Sequence, residues 1–351
     1  MVTINELLSI AKEKKASDVH ISVGIPPKVR INGELCELDY PILSPADVEE
    51  LVKPLFSERT KKTFDQQGEV DFAYAVSGIG RFRVNIFRQR GSYALVMRLV
   101  GTTIPYAELL GIPKSVVALT EKKKGLVLVT GPTGSGKSTT LASLIDIINN
   151  NCTSHIITLE DPIEYLHYHK KSVVNQREVG LDTLSFSQAL RSALREDPDV
   201  ILVGEMRDLD TISIAITAAE TGHLVFSTLH TTGSANTIDR IIDVFPPHQQ
   251  QQIRIQLASV LEAIISQQLI ATKDNDGRVA AFEVLHATPS IRNMIREAKT
   301  HHIDTVLQTN RKLGMQTMDD AILELYKTNK IDSKHALQYA QDPVYLERKM
   351  Y

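Results

Sequence analysis

Gly131-Pro132-Thr133-Gly134-Ser135-Gly136-Lys137-Ser138 lies between two runs of different character. Before it, Leu126-Val127-Leu128-Val129 is a short apolar run of the kind that forms a buried strand. After it, Thr139-Thr140-Leu141-Ala142-Ser143-Leu144-Ile145 reads as a helix. Glycines let backbone N–H groups turn inward and approach phosphate oxygens, and a helix N-terminus adds the positive end of its dipole. The spacing therefore predicts a loop that holds a nucleoside triphosphate. Gly131, Thr133, Gly134, Ser135, Gly136, Lys137, Ser138 and Thr139 would surround the phosphates. Lys137 would reach the β- and γ-phosphates, and the Ser138 hydroxyl would ligate Mg²⁺.

Downstream the pattern is β-α alternation. Apolar runs at 126–129, 156–159, 200–203 and 224–226 end in polar residues, as strands buried on both faces of a parallel sheet do. Helices at 184–194 and 210–220 would cover that sheet, with an edge strand at 279–285 and helices beyond. Upstream, the first hundred residues read as a small α+β domain. It has a helix at 4–14, strands at 18–23 and 28–31, a helix from Ser44 to about 55, and a meander at 70–76, 81–87 and 93–99. Between the two, 102–113 contains Gly111, Pro105 and Pro113 and reads as a linker. The expected division is 1–101, linker 102–113, core 114–288 and a helical C-terminal region 289–351.

At 351 residues the chain is long enough for two cores. Its two cysteines, Cys36 and Cys152, can build neither a disulfide scaffold nor a cysteine-rich zinc module, and a reducing compartment is the default. No apolar run approaches the roughly 20 residues of a membrane span, and the N-terminus has no signal pattern. Membrane association is thus expected to be peripheral. The net charge of −3, the 5% aromatic content and the lack of tryptophan argue against a nucleic-acid groove.

Cleaving a phosphoanhydride needs Mg²⁺, a positioned water and cations for developing charge. Acids at the carboxyl ends of the strands are the candidates. The second strand runs into Glu160-Asp161-Pro162-Ile163-Glu164, and the third into Gly204-Glu205. Glu205 is assigned to the metal and Glu164 to activation of the attacking water, while Asp161 fits a structural bond as well as a catalytic one. His230 ends the fourth strand, where it could sense the γ-phosphate; His223, at the opposite end, suits a subunit contact. Arg81 and Arg83 share one face of their strand, and Arg98 lies in the next, so a small domain could supply arginine fingers. Asn329-Lys330-Ile331-Asp332 spells a guanine-reading signature, but it lies between two amphipathic helices and is read as a capped turn.

Together these motifs resemble the secretion-type ATPases that power type IV pili and type II secretion. Residues 131–138 look like that family's Walker A loop, 157–165 its Asp box with the expected base at Glu164, 199–205 its Walker B ending in Gly-Glu, and 221–230 its His box with His223 and His230. Arg83 and Arg98, and with a weaker match Arg81, resemble its phosphate-contacting arginines. Ser290-Ile291-Arg292-Asn293-Met294-Ile295-Arg296-Glu297 and Gly314-Met315-Gln316-Thr317-Met318-Asp319 resemble tail segments of the retraction branch. The resemblance implies a PAS-like α+β domain, a RecA-like P-loop ATPase domain with a helical tail, and a ring-shaped homohexamer using ATP and Mg²⁺ between its domains. It further implies retraction of pili at the cytoplasmic face of the inner membrane, through a platform protein and, indirectly, the pilin filament. The alternatives are an accessory retraction, extension or type II secretion motor of the same family, or a RecA-like nucleic-acid motor.

Overall fold

The computed structural model describes residues 2–31, 33–101, 103–274 and 277–350; Thr102, first of the segment read as a linker, lies outside them. The chain divides into two compact units. One comprises Met1–Thr103 and Pro162–Leu166, the other Ile104–Asp161 and His167–Tyr351.

The first unit begins with α1 (Ile4–Glu13). Thr3 and Glu6 close a capping box at its start, and Ile4, Leu7, Leu8 and Ala11 form its buried stripe. Then come β1 (Asp18–Ile21), β2 (Lys28–Ile31), β3 (Glu34–Glu37), α2 (Pro45–Val52), α3 (Glu58–Gln67), β4 (Glu69–Val76), β5 (Gly80–Gln89) and β6 (Ser92–Leu99). The strands form one antiparallel sheet in the order β3-β2-β1-β6-β5-β4. Alternation sends Val19, Ile21, Val29, Phe82, Val84, Ile86, Leu95 and Met97 into the core. The other face carries a row set by register, in which Arg30 lies opposite Asp18, Asp18 opposite Arg98, and Arg98 opposite Arg83. Two elements were not anticipated. All four residues of β3 are exposed, so it shows no alternation. In α3 only Phe64 is buried, and the helix is defined by its ends: the Ser57 cap and left-handed Gly68.

The second unit holds α4 (Lys114–Val117), β7 (Gly125–Thr130), α5 (Lys137–Asn151), β8 (His155–Glu160), β9 (Val173–Glu178), α6 (Phe186–Ala193), β10 (Val200–Val203), α7 (Leu209–Glu220), β11 (Leu224–Leu229), α8 (Ser234–Asp243), α9 (Pro247–Val260), β12 (Leu261–Ala271) and β13 (Arg278–His286). There follow α10 (Pro289–Arg296), α11 (Ile303–Thr309), α12 (Met318–Lys327), α13 (Ser333–Tyr339) and α14 (Pro343–Met350). The sheet order is β13-β12-β7-β11-β10-β8-β9. Its pairs are parallel except β12–β13. Leu126 and Leu128 enter the hydrophobic layer shared with α6 to α9, while Val127 and Val129 enter the layer on the opposite face with α5. Burial on both faces is why the strand runs are continuously apolar. Ala107 and Ile112 are buried in that second layer, so this stretch of the expected linker is packed rather than a free tether.

Residues 329–332 form the turn between α12 and α13. Asn329 is left-handed, and Asp332 Oδ1 accepts from the His335 N–H at 2.7 Å, a helix cap with no strand before it.

His167 is buried, and burial lowers its pKa from 6.5 to about 4; nearby Asp146 works against the shift and Lys170 with it. The folded state thus keeps this imidazole neutral while the unfolded chain gains a proton below pH 6.5. Stability should therefore fall as pH drops from 6.5 to 4 and level off below, by roughly 3 kcal/mol from this group. Denaturant midpoints across that window should show the loss in the unaltered chain and a flatter profile in His167→Gln; parallel profiles would refute it.

Candidate nucleotide site

The phosphate loop leaves β7, an interior strand between β12 and β11, and enters α5 at Lys137. Gly131, Gly134 and Gly136 have φ of 140°, 79° and 90°, which side chains disfavour. Space is short as well. A Cβ on Gly131 would lie 2.2 Å from the Gln267 carbonyl oxygen, and one on Gly136 2.9 Å from Gln267 Nε2. Gln267, on β12, also accepts a bond from Thr140 Oγ1 at 2.8 Å. This residue backs both ends of the loop, yet no motif announces it.

Lys137 is buried, and its Nζ donates to the carbonyls of Gly131 at 2.8 Å and Pro132 at 3.0 Å. Ser135 Oγ is buried with no hydrogen-bond partner among the described residues. A buried hydroxyl without a protein partner, a lysine at the loop's mouth and glycines where no side chain fits suit a phosphate chain. Ser138 and Thr139 open the first turn of α5, where a hydroxyl can serve Mg²⁺.

Glu205 stands two residues beyond β10, because Gly204 fills the first position after the strand. A Cβ there would meet Leu159 O at 3.1 Å and Glu160 Cα at 3.4 Å, so the neighbouring strand end leaves little room for a side chain at this position, and the acid comes one residue later. The Gly204 N–H donates to Leu159 O at 2.7 Å, and Thr228 Oγ1 to Gly204 O at 2.6 Å, fixing the turn. Glu205 Oε2 pairs with Arg207 Nε at 2.7 Å and lies 3.5 Å from His230 Nε2. The other ring nitrogen of His230 is 3.5 Å from Thr133 Oγ1 of the loop. His230 thus bridges the phosphate loop and the acid after β10. A cavity of about 390 Å³ opens beside this bridge, lined by Glu205, Arg207, Thr228, His230 and Arg240.

The remaining candidates lie elsewhere. His223, at the amino end of β11, contacts Ala218 O and Thr221 Oγ1. Arg81, Arg83 and Arg98 belong to the first unit. There Arg83 Nε donates to Asp71 Oδ2 at 2.9 Å, and Arg98 Nε to Asp18 Oδ1 at 2.8 Å. Burial pushes the Asp18 carboxyl up, but bonds from Ser17 and Arg98 and the Arg98 charge hold it below its ordinary value, so the pair is ionic. Glu164 is exposed, in the segment Pro162–Leu166 that groups with the same unit; there Tyr165 bridges to Gly101.

The tail segment divides by face. Ile291 and Ile295 are buried, and Arg292 donates to Ala258 O, Ser259 O, Ala287 O and Glu262, tying the end of α9 to β12. Asn293, Arg296 and Glu297 are exposed.

The model of the type II/IV secretion system protein family matches residues 1–337. The chain belongs to that family. It is of the PilT type within it. It is 48% identical over 340 residues to the type IV pilus retraction ATPase PilT of Pseudomonas aeruginosa, covering 97% of this chain and 98% of the relative. It is 49% identical over 316 residues to a twitching motility protein of Neisseria gonorrhoeae, covering 90% and 84%. A crystal structure of the pilus retraction motor PilT with bound ADP superposes with a TM-score of 0.93 at 51% identity, covering 99% of this chain and all of that one. The PilT-type fold accounts for both architectures described above, the N-terminal sheet and the RecA-like sheet. Among the described residues of this family member, no helix is long and apolar enough to cross a membrane.

Proposed function

We propose that this chain is an ATPase motor that disassembles and retracts type IV pili. The observation that carries the reading is the His230 bridge, which joins Thr133 of a phosphate loop to Glu205 at the carboxyl edge of a parallel sheet. Ligands of such sheets bind at that edge. ATP is held by Gly131, Thr133, Gly134, Ser135, Gly136, Lys137, Ser138 and Thr139, and Mg²⁺ by Ser138 and Glu205, directly or through water. Bound there, Mg²⁺ would supply positive charge to the phosphates. Glu164 orients the water, His230 reports the γ-phosphate to Glu205, and Arg81, Arg83 and Arg98 supply positive charge. The ion pairs of Arg83 with Asp71 and of Arg98 with Asp18 would give each arginine an alternative partner when phosphate is absent. Hydrolysis changes the angle between the two units of each protomer in a homohexamer. That motion acts on a platform protein at the cytoplasmic face of the inner membrane and only indirectly on pilin.

The support is the site chemistry joined to near full-length similarity with named retraction and twitching proteins. The test is ATP hydrolysis by size-fractionated protein, together with restoration of twitching to a retraction-deficient cell. Turnover in a hexamer-sized fraction and recovered motility are expected. Turnover that restores pilus extension but not retraction would move the chain to the opposite motor; no turnover at all would end the ATPase reading.

A further inference from the structure

Beyond the nucleotide residues, a buried polar network joins the His230 loop to the C-terminal helices. Glu283 of β13 is 1% exposed, and among the described residues no lysine or arginine pairs with it. Its Oε1 accepts from both the N–H and the hydroxyl of Ser234, the first residue of α8, each at 2.7 Å. Its Oε2 accepts from Gln341 Nε2 at 3.3 Å. Burial raises the Glu283 pKa, the Ser234 and Gln341 bonds oppose that rise, and Asp304 adds to it. A carboxyl so placed is costly unless it holds something in position.

Both ends of this network lead somewhere. On one side, Ser234 follows the loop from His230 to Gly233. That loop is also held by the Gly233 N–H on Ser266 Oγ at 3.1 Å and by Thr231 Oγ1 against Thr237 Oγ1 at 2.8 Å. On the other side, buried Asp319 of α12 accepts from the backbone N–H groups of Gln341 at 2.7 Å and Asp342 at 2.9 Å. The turn that presents Gln341 is thereby fixed to α12, in the cluster built from Met318, Ile322, Ala336 and Leu346. Among the described residues, the Gln341 amide makes the one hydrogen bond between that turn and Glu283.

We propose that Gln341 is a positioning residue for hydrolysis: through Glu283 and Ser234 it lets the C-terminal helical cluster set the His230 loop beside Thr133 and Glu205. The idea rests on the nucleotide reading above, which assigns His230 its role. It makes the last three helices a control on turnover rather than a passive cover.

Gln341 is itself exposed, so Gln341→Ala removes the latch without opening a core. In the full chain, amide hydrogen exchange over residues 230–234 should quicken while that of β7 and α5 stays unchanged. Losing one hydrogen bond corresponds to a fall of about three- to tenfold in kcat, with KM for ATP held within about twofold. Gln341→Glu, which sets a second carboxylate against Glu283, should do more. In a His230→Ala background, Gln341→Ala should lower kcat no further. Unchanged loop exchange in Gln341→Ala would overturn the proposal, as would faster exchange through the whole C-terminal cluster or full additivity with His230→Ala. Absence of ATP turnover in the unaltered chain would instead overturn the function, and the exchange comparison would still decide whether the latch exists.

Discussion

In Glu164→Gln, ATP should bind as in the unaltered chain while turnover falls by roughly 10²- to 10⁴-fold, the range expected when a general base is removed. The amide is nearly isosteric but cannot take the proton of the attacking water. Glu164 is exposed and makes no structural bond among those described, so the substitution should leave the melting temperature unchanged. Nucleotide titration and phosphate release measured on the same preparation separate the two effects. Hydrolysis within about threefold of normal would return the base role to another group. Asp161 is the nearest other acid in the sequence; Glu160, one residue before it, already accepts at Oε1 from Thr158 Oγ1 at 2.6 Å and Gln176 Nε2 at 3.0 Å. Those bonds suit it to holding the end of β8.

Gly131→Ala should be the most damaging single methyl group that the phosphate loop can receive. The residue has φ of 140°, and its new Cβ would press on a backbone oxygen 2.2 Å away, which cannot rotate aside. Backbone strain and overpacking together suggest a loss of about 3 kcal/mol or more, with ATP affinity reduced at least as severely as stability. Gly134→Ala is the control. It also has positive φ, but nothing lies within 4 Å of its Cβ, so its cost should be only about 1–2 kcal/mol of conformational strain. Thermal unfolding with and without ATP distinguishes the two. Equal effects would mean that contact with Gln267 does not shape the loop.

Much of this was legible before any coordinates, because the informative positions obey short-range rules. The runs at 126–129 and 200–203 are apolar throughout since both faces of their strands are covered, and the phosphate loop is local in sequence. What stayed hidden depends on distance or on missing contrast. β12 begins at Leu261 directly after α9, with no glycine, proline or polar break, so its apolar residues read equally well as more helix. Gln267 is one glutamine among several until β12 is laid beside β7. The displaced Glu205 was explained in sequence only by likeness, whereas the structure adds the tight approach of Leu159 and Glu160 to Gly204. The arginines of the first sheet were visible as a row, but their aspartate partners, Asp71 and Asp18, were not.

Grouping Pro162–Leu166 with the first unit has a practical consequence. The backbone passes from one unit to the other three times, near residues 103, 161 and 166, so no single cut separates them. A fragment ending at Thr103 would lack the peptide that bridges Gly101 through Tyr165, and a fragment starting at Ile104 would carry that peptide without its host. Neither half would carry both Gly101 and the Tyr165 peptide, and the stretch bearing Glu164 is anchored by the polypeptide at both its ends.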